Sequence, residues 1–81
     1  MESKRVELIV KGKDLVFDVN LEAYNKYLNE TTPTNKIGPA KNFLMRTVTP
    51  ECKEEVRALL DLPSAALQVA AQVLDEFTPD I

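Results

Sequence analysis

The stretch Arg5–Val19, RVELIVKGKDLVFDV, decides the fold of this 81-residue chain. Apolar residues occupy every second position on both sides of Gly12: Val6, Leu8 and Val10 before it, and Leu15, Phe17 and Val19 after it. A period of two is typical of half-buried strands, and a glycine between two such runs supplies the positive φ of a tight turn. The stretch therefore predicts a β-hairpin over about residues 5–19 with one apolar face.

The predicted register of this hairpin places Gly12 and Lys13 in the turn. That choice makes all the apolar residues of one face pair across the strands: Val10 with Leu15, Leu8 with Phe17, and Val6 with Val19. A turn at Lys11-Gly12 would keep the same faces but would set Val10 opposite Lys13. Two strands alone are marginally stable, so helices must cover the apolar face.

Four helices are predicted, over about residues 21–29, 39–48, 50–61 and 63–77. Asn20 is a good N-cap for the first helix, and Leu21, Tyr24 and Leu28 form the stripe expected to be buried. Gly38-Pro39 suits the start of the second helix, as N-cap and first helical residue. Two further apolar stripes are expected to face the core: Ala40, Phe43, Leu44, Thr47 and Val48 on the second helix, and Cys52, Val56, Leu59 and Leu60 on the third. The predicted fold class is α+β, with an N-terminal β-hairpin packed against three to four short α-helices in a single domain.

The composition excludes most enzyme classes. The chain has no histidine, one cysteine and two glycines, so it lacks the usual metal ligands, the usual base for a Ser or Cys nucleophile, and a glycine-rich phosphate loop. A net charge of −3 argues against binding to nucleic acid, and no apolar run is long enough to span a membrane. We therefore expect a soluble, cytoplasmic, non-enzymatic protein without catalytic residues, cofactor or metal.

The fourth helix is apolar nearly all round, since only Gln68 and Gln72 are polar between Ala65 and Leu74. Such a helix is either central in the core or a docking surface for a partner. The predicted core stripe contains Leu67, Ala70, Val73, Leu74 and Phe77. The docking interpretation predicts an accessible face formed by Ala65, Val69, Gln72 and Glu76, where Val69→Glu would leave the fold intact.

Asn25 and Asn29 form a second candidate binding surface on the first helix. They lie four residues apart on one helix face, so both amides could reach the backbone of a partner. The alternative interpretation is an ordinary solvated face near a helix end.

Nearly the whole chain resembles the small tail assembly chaperones of tailed bacteriophages and prophages. The resemblance rests on the order and spacing of short segments: the hairpin with Gly12 and Asp14–Phe17, Tyr24–Lys26, Asn29-Glu30, Pro33–Lys36, Pro39–Arg46, Leu60–Pro63, Gln68–Ala70 and Phe77–Asp80. Ser64 departs from the pattern, because a small glycine-like turn residue is typical there.

This resemblance implies a non-enzymatic protein of the host cell cytoplasm that binds the long helical tape-measure protein and keeps it soluble. Tail-tube subunits are a further partner that the resemblance suggests, and a homo-oligomer is left open. The alternative is a small DNA-binding transcriptional regulator of phage origin, because consecutive short helices beside a hairpin could form a winged helix-turn-helix. The absence of Lys and Arg from residues 63–77 argues against it.

Overall fold

The computed structural model describes residues 3–77. An antiparallel hairpin comes first, followed by four α-helices and one short 3₁₀ turn, and together they enclose one hydrophobic core. The elements are β1 (Ser3–Val10), β2 (Lys13–Asn20), α1 (Leu21–Glu30), α2 (Ile37–Thr47), the 3₁₀ turn Pro50–Cys52, α3 (Lys53–Leu59) and α4 (Pro63–Phe77). The predicted α+β class, a hairpin packed against helices, is confirmed.

The hairpin turn lies at Lys11-Gly12, so the predicted register is wrong by one residue in the turn. Val10 lies opposite Lys13, and the apolar pairs become Leu8 with Leu15 and Val6 with Phe17. Both turn residues have positive φ, 51° at Lys11 and 78° at Gly12. A type I′ turn needs this geometry and accepts glycine best at its second central position. The turn chemistry thus outweighs the extra apolar pair of the predicted register.

The inner face of the hairpin is covered as expected. Leu15, Phe17 and Val19 of β2 are at most 1% exposed, and Val6 of β1 is 2% exposed. The outer edge of β2 is held by the segment after α2, because the Thr49 amide donates to the Val16 carbonyl at 3.0 Å.

Helix α1 follows β2 without a connecting loop. Asn20 ends the strand and caps the helix, and its side-chain oxygen accepts from the Ala23 amide at 2.8 Å. Ala23 is buried, and the Tyr27 ring packs against Phe43 of α2 with centroids 5.3 Å apart. The helix therefore attaches to the core mainly through Ala23 and Tyr27, and not through Leu21 and Leu28 of the predicted stripe.

Helix α2 is the central element, in contact with β2 and the three other helices. Its buried residues include Ala40, Phe43 and Leu44, as the sequence predicts. It begins at Ile37, so the predicted cap at Gly38 is wrong, and Pro39 lies within the first turn of the helix, where no intrahelical hydrogen bond requires its missing N–H.

The predicted third helix, residues 50–61, is divided in the structure. Pro50 begins a 3₁₀ turn that ends at Cys52, and α3 continues from Lys53 to Leu59. Val56 is fully buried and Leu60 is 6% exposed, so the predicted apolar stripe does face the core.

Helix α4 packs on α2 and β1 through one face. Its buried side chains are Ala66, Val69, Ala70 and Val73. Leu67, predicted to be in the core, is 37% exposed, whereas Val69, predicted to be accessible, is only 2% exposed. The helix is therefore rotated from the predicted orientation, with Ala66 and Val69 facing the core and Leu67 turned toward solvent.

Candidate docking surface

A stripe of large apolar side chains on α1 faces solvent. Leu21 is 58% exposed and Leu28 is 50% exposed, and their seven-residue spacing places them two turns apart on the same side of the helix. Tyr24 lies between them and is half-buried. We call Leu21, Tyr24 and Leu28 the α1 stripe. It is the stripe that the sequence predicts, but its two leucines point away from the core.

The junction with β2 explains this orientation. Because no loop separates β2 from α1, the direction of the strand at Val19 and Asn20 fixes the rotation of the helix. Val19 points into the core and Asn20 caps the helix. The side of α1 that meets α2 then contains Ala23 and Tyr27, and the α1 stripe remains outside.

The two predicted asparagines flank the α1 stripe. Asn25 and Asn29 are exposed, and together with Leu21, Glu22 and Lys26 they line a shallow depression of about 400 Å³. Neither amide is hydrogen-bonded to another side chain or loop of the described chain. The structure thus brings Asn25 and Asn29 together on one accessible surface, beside two leucines that sequence reasoning assigned to the core.

Tyr24 connects this surface to α4. Its ring lies 5.4 Å from that of Phe77, measured between centroids, with the ring planes tilted by 43°. Such tilted aromatic pairs are favourable beyond the area they bury. The contact holds the middle of the α1 stripe in place, so the exposed surface rests on a packed base.

The candidate residues on α4 do not form one accessible face. Gln72 and Glu76 are exposed, Ala65 is half-buried and Val69 belongs to the core. The predicted accessibility of Val69 is therefore wrong, and a charge at this position is now expected to disturb the fold. The exposed side of α4 is mainly polar or small, with Gln68, Ala71, Gln72 and Asp75, and is less suited to apolar docking than the α1 stripe.

A second apolar depression lies at the hairpin turn, with a volume of about 210 Å³. Val10, Leu15, Leu59 and Leu62 line it. Leu62 is 50% exposed, the same fraction as Leu28. These side chains come from both strands, α3 and the segment that follows α3. They do not present the regular spacing that another helix would match.

The described residues offer few other features that could serve as a functional site. Within residues 3–77, no three His, Cys, Asp or Glu side chains are placed to hold a metal ion. In the same range, no helix is long and apolar enough to cross a membrane. The prominent chemical feature of this part of the chain is thus an apolar helix surface, which is typical of domains that bind other proteins through a helix.

Comparison with known proteins gives the family. Residues 6–81 match the family described as phage tail assembly chaperone, and the chain belongs to this family. It is also 37% identical over 76 residues to an uncharacterized 11.3 kDa protein in the lys 3′ region of Haemophilus phage HP1, an alignment covering 94% of this chain and 74% of that protein. No solved structure matches the chain.

Proposed function

We propose that this protein is a non-enzymatic chaperone that binds the tape-measure protein of its phage in the host cytoplasm and keeps it soluble during tail assembly. Family membership supports a partner among the phage tail proteins. The observation that carries the finer proposal is the α1 stripe, where two leucines at regular helical spacing are exposed by half or more.

The spacing of the α1 stripe suits a helical partner. Residues at i, i+3 and i+7 lie on one face of a helix and can pack together against a partner helix. A long helical tape-measure protein offers many such helix faces along its length. Its apolar surface stays exposed until the tail tube forms around it. Burying the exposed parts of Leu21 and Leu28 would stabilise the complex by about 1–2 kcal/mol each, because each side chain is already half covered.

The polar residues around the α1 stripe fit the same role. Asn25 and Asn29 are uncharged, so a partner helix can cover them without burying an unpaired ion. Glu22 and Lys26 carry opposite charges on the neighbouring side. Their charges balance, so this surface has no strong excess of positive or negative charge. The net charge of −3 would help to keep a complex with an apolar partner in solution.

A matched pair of variants tests the proposal. Leu28→Glu would place a charge within the α1 stripe, and Leu62→Glu would place the same charge on an equally exposed leucine at the other depression. Each protein is co-expressed with the tape-measure protein of the same phage, and the soluble tape-measure yield and the co-purified complex are measured. We expect Leu28→Glu to weaken binding at least about tenfold and Leu62→Glu to bind like wild type, because a lone charge buried in a complex is costly.

Circular-dichroism melts of both variants check that the fold is retained, as expected for substitutions at exposed positions. Leu21→Glu provides a second measurement on the α1 stripe at the other end of the helix. Folded Leu28→Glu and Leu21→Glu proteins that still solubilise the tape-measure protein would contradict the proposal. Loss of binding in Leu62→Glu alone would indicate that the docking site lies at the hairpin-turn depression.

The DNA-binding alternative has no structural observation in its favour. The sequence of α4 contains neither Lys nor Arg, and such groups are needed to contact phosphates and guanine bases. We therefore propose only the chaperone function.

A further inference from the structure

The outer edge of β1 carries backbone groups that the hairpin does not use. The two-residue turn closes on the pair Val10–Lys13, and hydrogen-bonded and non-bonded pairs alternate from there along an antiparallel ladder. Arg5, Glu7 and Ile9 therefore direct their N–H and C=O groups away from β2. The same alternation directs the Val16 carbonyl outward on β2, where it accepts from the Thr49 amide at 3.0 Å.

The two edges of the sheet differ in how far other segments cover them. On β2, Val48 bridges to Phe17, and the thiol of Cys52 lies 3.6 Å from the Asp14 carbonyl. On β1, no third strand is present within residues 3–77. None of the loop and cap hydrogen bonds of this range reaches the backbone of Arg5, Glu7 or Ile9. Ile9, on the outer face beside this edge, is 75% exposed.

We propose that the β1 edge pairs with the β1 edge of a second copy of this chain, which joins the two hairpins into a four-stranded antiparallel sheet. The two-fold axis passes beside Val6. Arg5 then lies opposite Glu7 of the second copy, and Glu7 opposite its Arg5. Ser3 and Ile9 form the next pairs outward, so a small side chain lies opposite a large one.

The charges of the strand select this register. In the single chain, the Arg5 and Glu7 side chains are 62% and 70% exposed and lie 3.3 Å apart on the same face. In the paired edge, each also faces the opposite charge directly across the ladder, an arrangement that stabilises cross-strand pairs. The pairing is isologous, so one short segment supplies both halves of the interface.

Other two-fold registers are less favourable. An axis at Glu7 would set Glu7 against its own copy, and an axis at Leu8 would set Arg5 against Lys11; both oppose like charges. An axis at Ile9 would bring Glu7 to Lys11, but the φ of 51° at Lys11 takes that residue out of the extended conformation. That ladder would contain only the last residues of β1.

Charge reversal tests both the interface and its register. The oligomeric state of wild type, Arg5→Glu and Glu7→Arg is measured by sedimentation velocity over a concentration series, and then for a mixture of the two variants. We expect wild type to dimerise and each variant alone to dissociate at least about tenfold more readily, because two pairs become like-charged. The mixture should form a heterodimer, since every glutamate would again face an arginine.

The double variant Arg5→Glu/Glu7→Arg provides the matched control, because it restores the pairs within and between chains and should dimerise like wild type. Circular-dichroism melts follow the fold of each protein, and exposed ion pairs contribute little to it. A wild-type protein that stays monomeric at every concentration would overturn the proposal. The charges of β1 would then serve to prevent pairing of this edge with another strand. A folded Arg5→Glu protein that dimerises like wild type, or a mixture that stays monomeric, would equally overturn it.

Discussion

Replacing Val69 with Glu should unfold most of the protein at neutral pH. Val69 is 2% exposed and lies on the face of α4 that packs against α2 and β1. The larger, ionisable side chain would lose the apolar contacts of valine and bring a carboxyl group into the core without a partner. Gln72, three residues further along, is exposed, and Gln72→Glu adds the same charge at an accessible position of the same helix.

The expected magnitude follows from the burial. Losing a buried valine side chain costs about 1.5–3 kcal/mol, and burying a polar group without a hydrogen bond costs about 1–3 kcal/mol more even when the carboxyl is neutral. A domain of 81 residues has a free energy of unfolding of about 4–12 kcal/mol, and small domains lie toward the lower end. The two losses together, about 2.5–6 kcal/mol, are therefore comparable with the whole stability.

The destabilisation should also depend on pH. Burial raises the pKa of a carboxyl above its value in the unfolded chain. Below about pH 4, the introduced carboxyl is protonated in both states. Only the packing loss and the cost of burying the neutral carboxyl then remain. As the pH rises, the unfolded state ionises first, so the variant loses stability relative to wild type.

Urea unfolding followed by far-UV circular dichroism, at acidic and neutral pH, measures these effects for Val69→Glu, Gln72→Glu and wild type. We expect Gln72→Glu to lie within about 0.5 kcal/mol of wild type. Equal stability of the two variants at neutral pH would refute the burial of Val69 and the rotation of α4. A Val69→Glu deficit that does not grow from acidic to neutral pH would refute the assignment of the loss to an ionisable group in the core.

Three smaller predictions concern the hairpin and its junctions, each measured as a change in the free energy of unfolding. Asn20→Ala removes the cap that accepts from the Ala23 amide and should cost about 1 kcal/mol, whereas Asn20→Asp should retain most of the stability; equal loss in both would contradict the capping role. Thr49→Val should stabilise the protein by about 1 kcal/mol, because the buried Thr49 hydroxyl has no hydrogen-bond partner among the described residues; a loss of stability would show that the hydroxyl is satisfied. Gly12→Ala should cost about 1 kcal/mol through its φ of 78° alone, since an added Cβ would meet no atom within 4 Å; an unchanged stability would contradict the positive φ.

Sequence patterning predicts the faces of the strands but not their register. A turn at Gly12-Lys13 and a turn at Lys11-Gly12 both leave Leu15 and Phe17 on the same face. Moving the turn by one residue shifts each cross-strand partner by two positions, and two positions along a strand return to the same face. The count of apolar pairs favours the first turn, whereas the backbone preference for glycine at the second central position favours the second, which the structure adopts. The buried face of α2 is predicted correctly because Phe43 and Leu44 have no competing apolar face.

The orientation of α1 and α4 could not be predicted in the same way. On α1, Leu21 and Leu28 form a more apolar stripe than Ala23 and Tyr27, yet the direct junction with β2 turns the second pair inward. On α4, apolar side chains occupy nearly the whole circumference, so the pattern cannot choose between Leu67 and Val69. Packing against α2 determines which of these two residues is buried. The predicted asparagines are correctly placed on the surface, but the leucines that make this surface a docking candidate were assigned to the core.

The contact between the first strand and the last helix has a consequence for synthesis of the protein. The Lys4 ammonium donates to the Glu76 carbonyl across 72 residues of sequence, and α4 packs on β1. During translation the hairpin and α1 therefore emerge long before the element that closes the core, and contacts of such sequence separation form late in folding. The part of the hairpin's apolar inner face that α4 covers stays open on the ribosome until α4 is made. Early termination within α4 should consequently yield a chain that aggregates or is degraded, and not a shorter working domain.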